Sequence, residues 1–346
     1  MTTLWFVLVL FMLVMYVLLD GFDLGAGAVH VFVAKTDAER RMVLKAIGPV
    51  WDGNEVWLIA AGGTLFFAFP VLYASSFSGF YLPLMIVLWL LMMRGVSIEL
   101  RSHLKHPMWA TFWDAGFFVS SALLAIFFGA AAGNVIRGVP LDASGFFFEA
   151  LWTNFDPTNP NPGILDWYTV LVGLLALAVL VTHGANYLVL KTEGALNARA
   201  RRMALAGWAA TVALTIPVTV STFWLRPVMW ANFGRAPWGA IFPLIAIGGL
   251  VGVLVCLLRH HERGALIASG AYMAGMMVSS AFALYPRVLP AVNPAHDLTI
   301  HNAATSLYGM TVGLVWWSIG MVLAAIYFVF IYRLFRGKVS PEEGHY

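Results

Sequence analysis

The chain has 346 residues, 61% of them hydrophobic and only 11% charged, with a mean hydropathy of +0.82. A soluble domain carries about a quarter charged residues, so this composition excludes one and specifies an integral membrane protein. The formal charge of +3 does not point to nucleic acid, because the basic residues sit in short loops between apolar spans, where they report membrane orientation.

The opening Met1-Thr2-Thr3-Leu4 carries no basic n-region, and the apolar run behind it is too long for a signal peptide; it reads as a first membrane helix. Each crossing takes about 20 apolar residues, and runs of that kind predict helices over 4–33, 50–70, 77–100, 113–136, 164–190, 203–223, 237–258, 264–285 and 307–332. The second is the weakest, because Asp52 and Glu55 open it and Gly62 and Gly63 follow. After the fourth, the proline and asparagine series from Asn154 to Pro162 cannot continue a helix and reads as an ordered cap or a hinge. A weak echo links Leu19-Asp20-Gly21 and Arg40-Arg41-Met42 to Thr182-His183-Gly184 and Arg201-Arg202-Met203. With four helices between the copies, such a repeat is parallel. The expected architecture is therefore all-α: one membrane domain over 1–346, with four-helix bundles in 1–136 and 164–285. An extracytoplasmic loop, 137–163, joins the bundles, and 286–346 supplies a ninth, peripheral helix and a cytoplasmic tail.

Lys and Arg near helix ends favour the cytoplasmic side. Most of them fall in the first, third, fifth and seventh loops and in the tail, whereas Arg137, Arg226, Arg235 and Arg287 lie opposite and Arg94 lies within a span. The expected orientation is N-terminus outside and C-terminus cytoplasmic.

That orientation gathers several charges on the inner half. Asp20 and Asp23 share a face of the first helix, Asp52 and Glu55 a face of the second, and Arg94 and Glu99 lie near the inner end of the third. Charge at mid-bilayer costs about 2.5 to 3.5 kcal/mol per residue, so these groups should face the bundle interior, water or one another. Structural roles compete with functional ones at each position. Pro49 followed by Asp52 and Glu55 is also a well-made helix start, where carboxylates stabilise the dipole. Asp114 reads as a plain N-terminal charge, and Arg94 as a lock between helices. His183 could ligate haem, but a lone helical histidine more often hydrogen-bonds a neighbour. His30, His103, His106, His260 and His261 take solvated roles by default. The single cysteine, Cys256, excludes an intrachain disulfide, and no metal-spaced Cys or His cluster, P-loop or dinucleotide fingerprint occurs. The glycines of Gly21-Phe22-Asp23-Leu24-Gly25-Ala26-Gly27 read as close helix packing.

Over about the first 140 residues the motifs are specific: Asp20-Gly21-Phe22-Asp23-Leu24-Gly25, Glu39-Arg40-Arg41, Trp51-Asp52-Gly53-Asn54-Glu55-Val56-Trp57-Leu58, Ser78-Gly79-Phe80-Tyr81, Arg94-Gly95, Glu99-Leu100-Arg101-Ser102 and Gly133-Asn134. In these the chain resembles subunit II of the bd-type quinol oxidases of prokaryotic respiratory chains; afterwards the likeness is mainly topological. The resemblance implies a complex that oxidises quinol and reduces oxygen to water. Haem b and haem d would be held by the homologous subunit I, with no cofactor in this chain beyond an optional quinone or lipid, and with a small single-helix subunit as an optional partner. It also implies a proton pathway at the subunit boundary through Asp52 and Glu99, the latter where relatives often have Asp. Asp20, Asp23, Glu55 and Arg94 would support that pathway. Without the resemblance, the same acids fit a secondary transporter with a cation or proton site.

Overall fold

The computed structural model describes residues 1–159 and 162–339. Pro160 and Asn161 of the proline and asparagine series, and the last seven positions of the expected tail, 340–346, lie outside the described residues. The helices are α1 Thr2–Val33, α2 Asp37–Ile47, α3 Trp51–Ala68, α4 Pro70–Gly79, α5 Tyr81–Leu100, α6 Pro107–Arg137, α7 Trp167–Lys191, α8 Gly194–Leu225, α9 Met229–Arg235, α10 Ile241–Leu258, α11 Glu262–Leu284 and α12 Leu307–Leu334.

Among the described residues, eight helices are long and apolar enough to cross a membrane. The expected span at 50–70 is not one of them, because α3 opens with Asp52, Asn54 and Glu55 and the chain breaks at Phe69. Pro70 cannot donate a backbone hydrogen bond, so it opens a new helix, α4, at the position where that donor is not needed. The expected run 77–100 is likewise divided at Phe80 between α4 and α5. Pro49 does not sit in the helix: α3 is capped by Val50 and begins at Trp51. Two helices start earlier than hydropathy suggests: α6 at Pro107, where the proline takes the first helical position, and α8 at Gly194, where the polar stretch Asn197 to Arg202 adds helix without adding hydropathy. In the first loop, Thr36 and Glu39 form a reciprocal capping box that starts α2, a short amphipathic helix that hydropathy alone does not reveal.

The centre of the molecule is α1, packed against α3, α6, α7 and α11; α7 packs against α1, α6, α8 and α11. Every residue from Asp20 to His30 is buried, as is every residue from Thr182 to Val189. These runs cross at two glycines. A Cβ on Gly25 would lie 1.9 Å from the Leu180 carbonyl oxygen, and one on Gly184 would lie 2.2 Å from the Gly25 carbonyl carbon. The glycine-rich stretch of α1 is thus a backbone contact surface, as its composition suggests. Farther out, α5 packs on α6 and α10 on α11. α12 flanks α1 and α3 through Phe328 against Trp57 and the Trp317 indole near Met12.

At the opposite end from α2, residues after α6 fold back on the bundle. Arg137 donates to the Gly163 carbonyl at 2.9 Å, to Asp166 at 2.6 Å, to Asn134 at 2.8 Å and to both Glu149 oxygens at 3.0 Å. These acceptors, from four residues on one buried guanidinium, fasten the described part of this loop to α6 and α7. A two-stranded antiparallel ribbon, β1 Arg287–Leu289 with β2 Leu298–Thr299, lies between α11 and α12.

Candidate functional site

Two turns of α1 carry Asp20 and Asp23 into a region with no solvent exposure. Each carboxylate is met by a different helix. Arg94 of α5, itself fully buried, donates Nη1 to Asp20 at 2.7 Å and Nη2 to Glu55 of α3 at 2.8 Å. Its guanidinium also lies 5.9 Å from the Trp51 ring centre, within cation–π range. Asn54 of α3 donates to Asp23 at 2.7 Å and accepts from the Tyr332 hydroxyl of α12 at 2.8 Å. One arginine and one amide therefore join α1, α3, α5 and α12. A buried ion of this kind is tolerated only when paired and hydrogen-bonded. The arrangement makes the second half of α1 a charged core enclosed by apolar surface.

Asp114 is not the plain helix-start charge expected from its position. It is buried and accepts from Arg101 at 2.6 Å and from Arg40 at 2.7 Å, while the His30 ring approaches to 3.6 Å. Arg101 extends to Asp37 at 2.9 Å, which also pairs with Arg41. Burial pushes the Asp37 carboxyl up, but Arg101 and Arg41 outweigh it and hold it below its usual range. His30, expected to be solvated, is buried, with Nδ1 2.7 Å from the Gly27 carbonyl oxygen. The acids thus separate into two buried networks, one around Arg94 and one around Asp114.

Asp52 and Glu99 belong to neither network: both are exposed in the isolated chain. Asp52 heads an exposed stripe on α3 with Val56, Ile59 and Phe66, and Glu99 ends one on α5 with Trp89, Met92 and Val96. Each stripe repeats at intervals of three or four, or their sum, so it is one helix face, apolar except for its acid. The tertiary structure keeps Asp20, Asp23, Glu55 and Arg94 together and sets Asp52 and Glu99 apart from them.

His183 is buried between α1 and α11. Its Nε2 donates to the Leu18 carbonyl at 2.9 Å, which leaves Nδ1 to accept from the Ser269 hydroxyl at 2.7 Å. Both ring nitrogens are committed, so the residue does not fit a haem ligand and instead ties α7 to α1 and α11. Among the described residues, no three His, Cys, Asp or Glu side chains converge as a metal site. Asn54, Tyr332 and the Asp114 hub escape a reading of charge alone. The Asn54 signal was its place between Asp52 and Glu55; nothing local announces Tyr332, which is 278 residues from its partner.

The comparisons with known proteins agree with one another. A family model described as "Cytochrome bd terminal oxidase subunit II" matches residues 1–335. The chain is 32% identical to the "Probable cytochrome oxidase subunit 2" of Haemophilus influenzae, over 98% of this chain and 95% of that protein. It is 30% identical to the "Cytochrome bd ubiquinol oxidase subunit 2" of Bacillus subtilis, over 98% and 97%, and 29% identical to the "Cytochrome bd-I ubiquinol oxidase subunit 2" of Escherichia coli, over 98% and 95%. A chain of the bd oxidase of Geobacillus thermodenitrificans superposes with a TM-score of 0.75 at 18% identity, over 96% of this chain and 98% of that one; at that identity the likeness is one of fold.

Proposed function

Because the chain belongs to the cytochrome bd terminal oxidase subunit II family, we propose that it acts as the non-haem subunit of a membrane quinol:oxygen oxidoreductase. In this reading it scaffolds a haem-bearing subunit I and passes protons from the cytoplasm through Asp52 and Glu99. Haem b and haem d, when bound in that partner, supply the electron transfer and oxygen chemistry. This chain's part is to hold shape and to move protons.

The carrying observation is the placement of Asp52 and Glu99. Buried acids elsewhere in the chain are engaged by arginines or an amide, whereas these two stand exposed, each on an otherwise apolar helix face. An apolar face with one acid suits a protein neighbour better than lipid, since a lipid-facing carboxylate is costly. Oxygen reduction consumes protons with electrons, and a carboxylate at a subunit boundary can hand them on through water. Glu99 reaches farther than Asp would by one methylene. The rigid Arg94 network behind the two helices fixes α3 and α5 relative to α1, which keeps the two acids in register.

The same reading takes α3 with α4 as a further crossing, making nine in two four-helix bundles plus α12, N-terminus outside and C-terminus cytoplasmic. The Lys and Arg distribution supports it. The transporter reading needs a helix break that cradles the charges; the break at Phe69 lies some four turns along from Glu55. A small cavity lined by Val179, Trp208, Leu250 and Tyr272 is water-sized, so a quinone or lipid held by this subunit needs another seat. The deciding experiment measures quinol-driven oxygen uptake of the intact complex carrying Asp52→Asn or Glu99→Gln. Loss of uptake by roughly tenfold or more with normal haem content supports the route; full activity in both variants sinks it.

A further inference from the structure

The ion pairs around Arg94 do not use all of the polar atoms buried on α1. Asp20 spends Oδ1 on Arg94 and Asp23 spends Oδ2 on Asn54. Asp20 Oδ2 and Asp23 Oδ1 remain buried with no protein partner, and the Tyr16 hydroxyl, turned toward Asp20, makes no hydrogen bond of full geometry. Positions 16, 20 and 23 follow each other at steps of four and three, so the three side chains lie on one face of α1. A buried polar atom without a partner is rare, and three on one face point to a shared ligand.

Charge balance identifies the ligand. The groups that face this spot are Tyr16 on α1, Glu55 from α3, Arg94 from α5, Tyr187 from α7 and, through Asn54, Tyr332 from α12. Arg94 is the one cation among them, and Asp20 and Glu55 already share it. Asp23 has an amide as its hydrogen-bond partner and no ion pair of its own. An ionised carboxylate with no exposure and no cation carries a heavy desolvation penalty, and a proton removes it.

We propose that Asp23 is a neutral carboxylic acid in the resting protein, its Oδ1 proton donated through one ordered water to Asp20 Oδ2, so that the pair stores a proton inside the membrane. The water accepts from Asp23, donates to Asp20 and takes its third hydrogen bond from Tyr16, which gives it the number of partners a buried water requires. Asp20 is the member of the pair that Arg94 engages, so its free oxygen is placed to accept. The side of the store nearest the surface is Glu55, which shares Arg94 with Asp20 and lies one turn from Asp52. Its use during turnover rests on the proton route proposed above; the protonation of Asp23 does not.

Infrared spectroscopy of the intact oxidase complex in ordinary and heavy water tests the assignment. The expected result is a carboxylic-acid carbonyl band that shifts on deuteration, persists in Asp52→Asn and disappears in Asp23→Asn. Asp23→Asn should assemble with normal haem content, because asparagine is a neutral isostere that still accepts from Asn54. Asp20→Asn should lower the yield of complex, because it strips Arg94 of a buried partner. Absence of the band, its survival in Asp23→Asn, or failure of Asp23→Asn to assemble overturns the proposal. So does a sodium-dependent rise in thermal midpoint that Asp23→Asn abolishes, since that identifies a metal cation in place of the proton. Oxygen uptake of Asp52→Asn reads the route separately from the band.

Discussion

Arg94 and Asp20 meet at 2.7 Å with both side chains entirely shielded from solvent, and that contact joins α5 to the central helix where the two backbones themselves do not pack. Removing one member of such a pair leaves the other charged and buried, which costs about 3 to 5 kcal/mol. Arg94→Met is therefore expected to deplete the assembled complex, read as haem-loaded protein recovered from membranes. Arg94→Lys should recover only part of the loss, because a single ammonium lacks the planar fork that serves Asp20 and Glu55 together.

The crossing of α1 and α7 permits no side chain. Gly184→Ala is expected to cost at least the 1 to 3 kcal/mol of ordinary overpacking, since its new methyl meets backbone on α1 and backbone cannot rotate away. Gly62→Ala, with nothing within 4 Å of the added carbon, should leave the thermal midpoint unchanged or raised. Equal effects from the two substitutions would refute the backbone-contact explanation.

Asp114 holds Arg40 and Arg101 together. In Asp114→Ala the two guanidiniums lose the anion between them, and His30 loses its neighbour. The expected outcome is a lower thermal midpoint and faster proteolysis at the α2 end. Asp114→Asn should be milder, because one amide oxygen can still accept a hydrogen bond.

Glu149 gives a pH dependence of definite sign. Burial pushes its carboxyl up to about 7 against the lowering pull of Arg137, and the nearby Asp166 carboxylate adds to the rise. The unfolded carboxyl titrates near 4.5. Between these values the folded loop binds a proton that the unfolded loop does not, so its stability is highest at the acid end and falls as pH rises through about 7. Hydrogen-exchange protection at the Ile164 and Leu165 amides, which bond to Ala150 and Leu151, should be greater at pH 5 than at pH 8. Glu149→Gln should flatten the difference.

Composition and periodicity by themselves determined that this chain crosses a membrane repeatedly, where most of the crossings fall, and which face of α1 is crowded. Those properties follow from transfer energies and helix period, which act residue by residue. The motifs in the first 140 residues also determined the family, because they combine charges with fixed spacing inside apolar runs. The tertiary structure decided which acid has which partner. Asp114 reads as a helix-start charge until Arg40 and Arg101 close on it, and His30 reads as solvated until α6 covers it. The break at Phe69 and the amphipathic α2 are local features that averaging over a membrane-length window conceals. Asp52 and Asp23 are carboxylates of the same size in neighbouring helices. Only the packing of α3, α5 and α12 around α1 leaves one exposed on an apolar face and encloses the other beside Asn54, because the cost of a charge depends on the neighbours that solvate it.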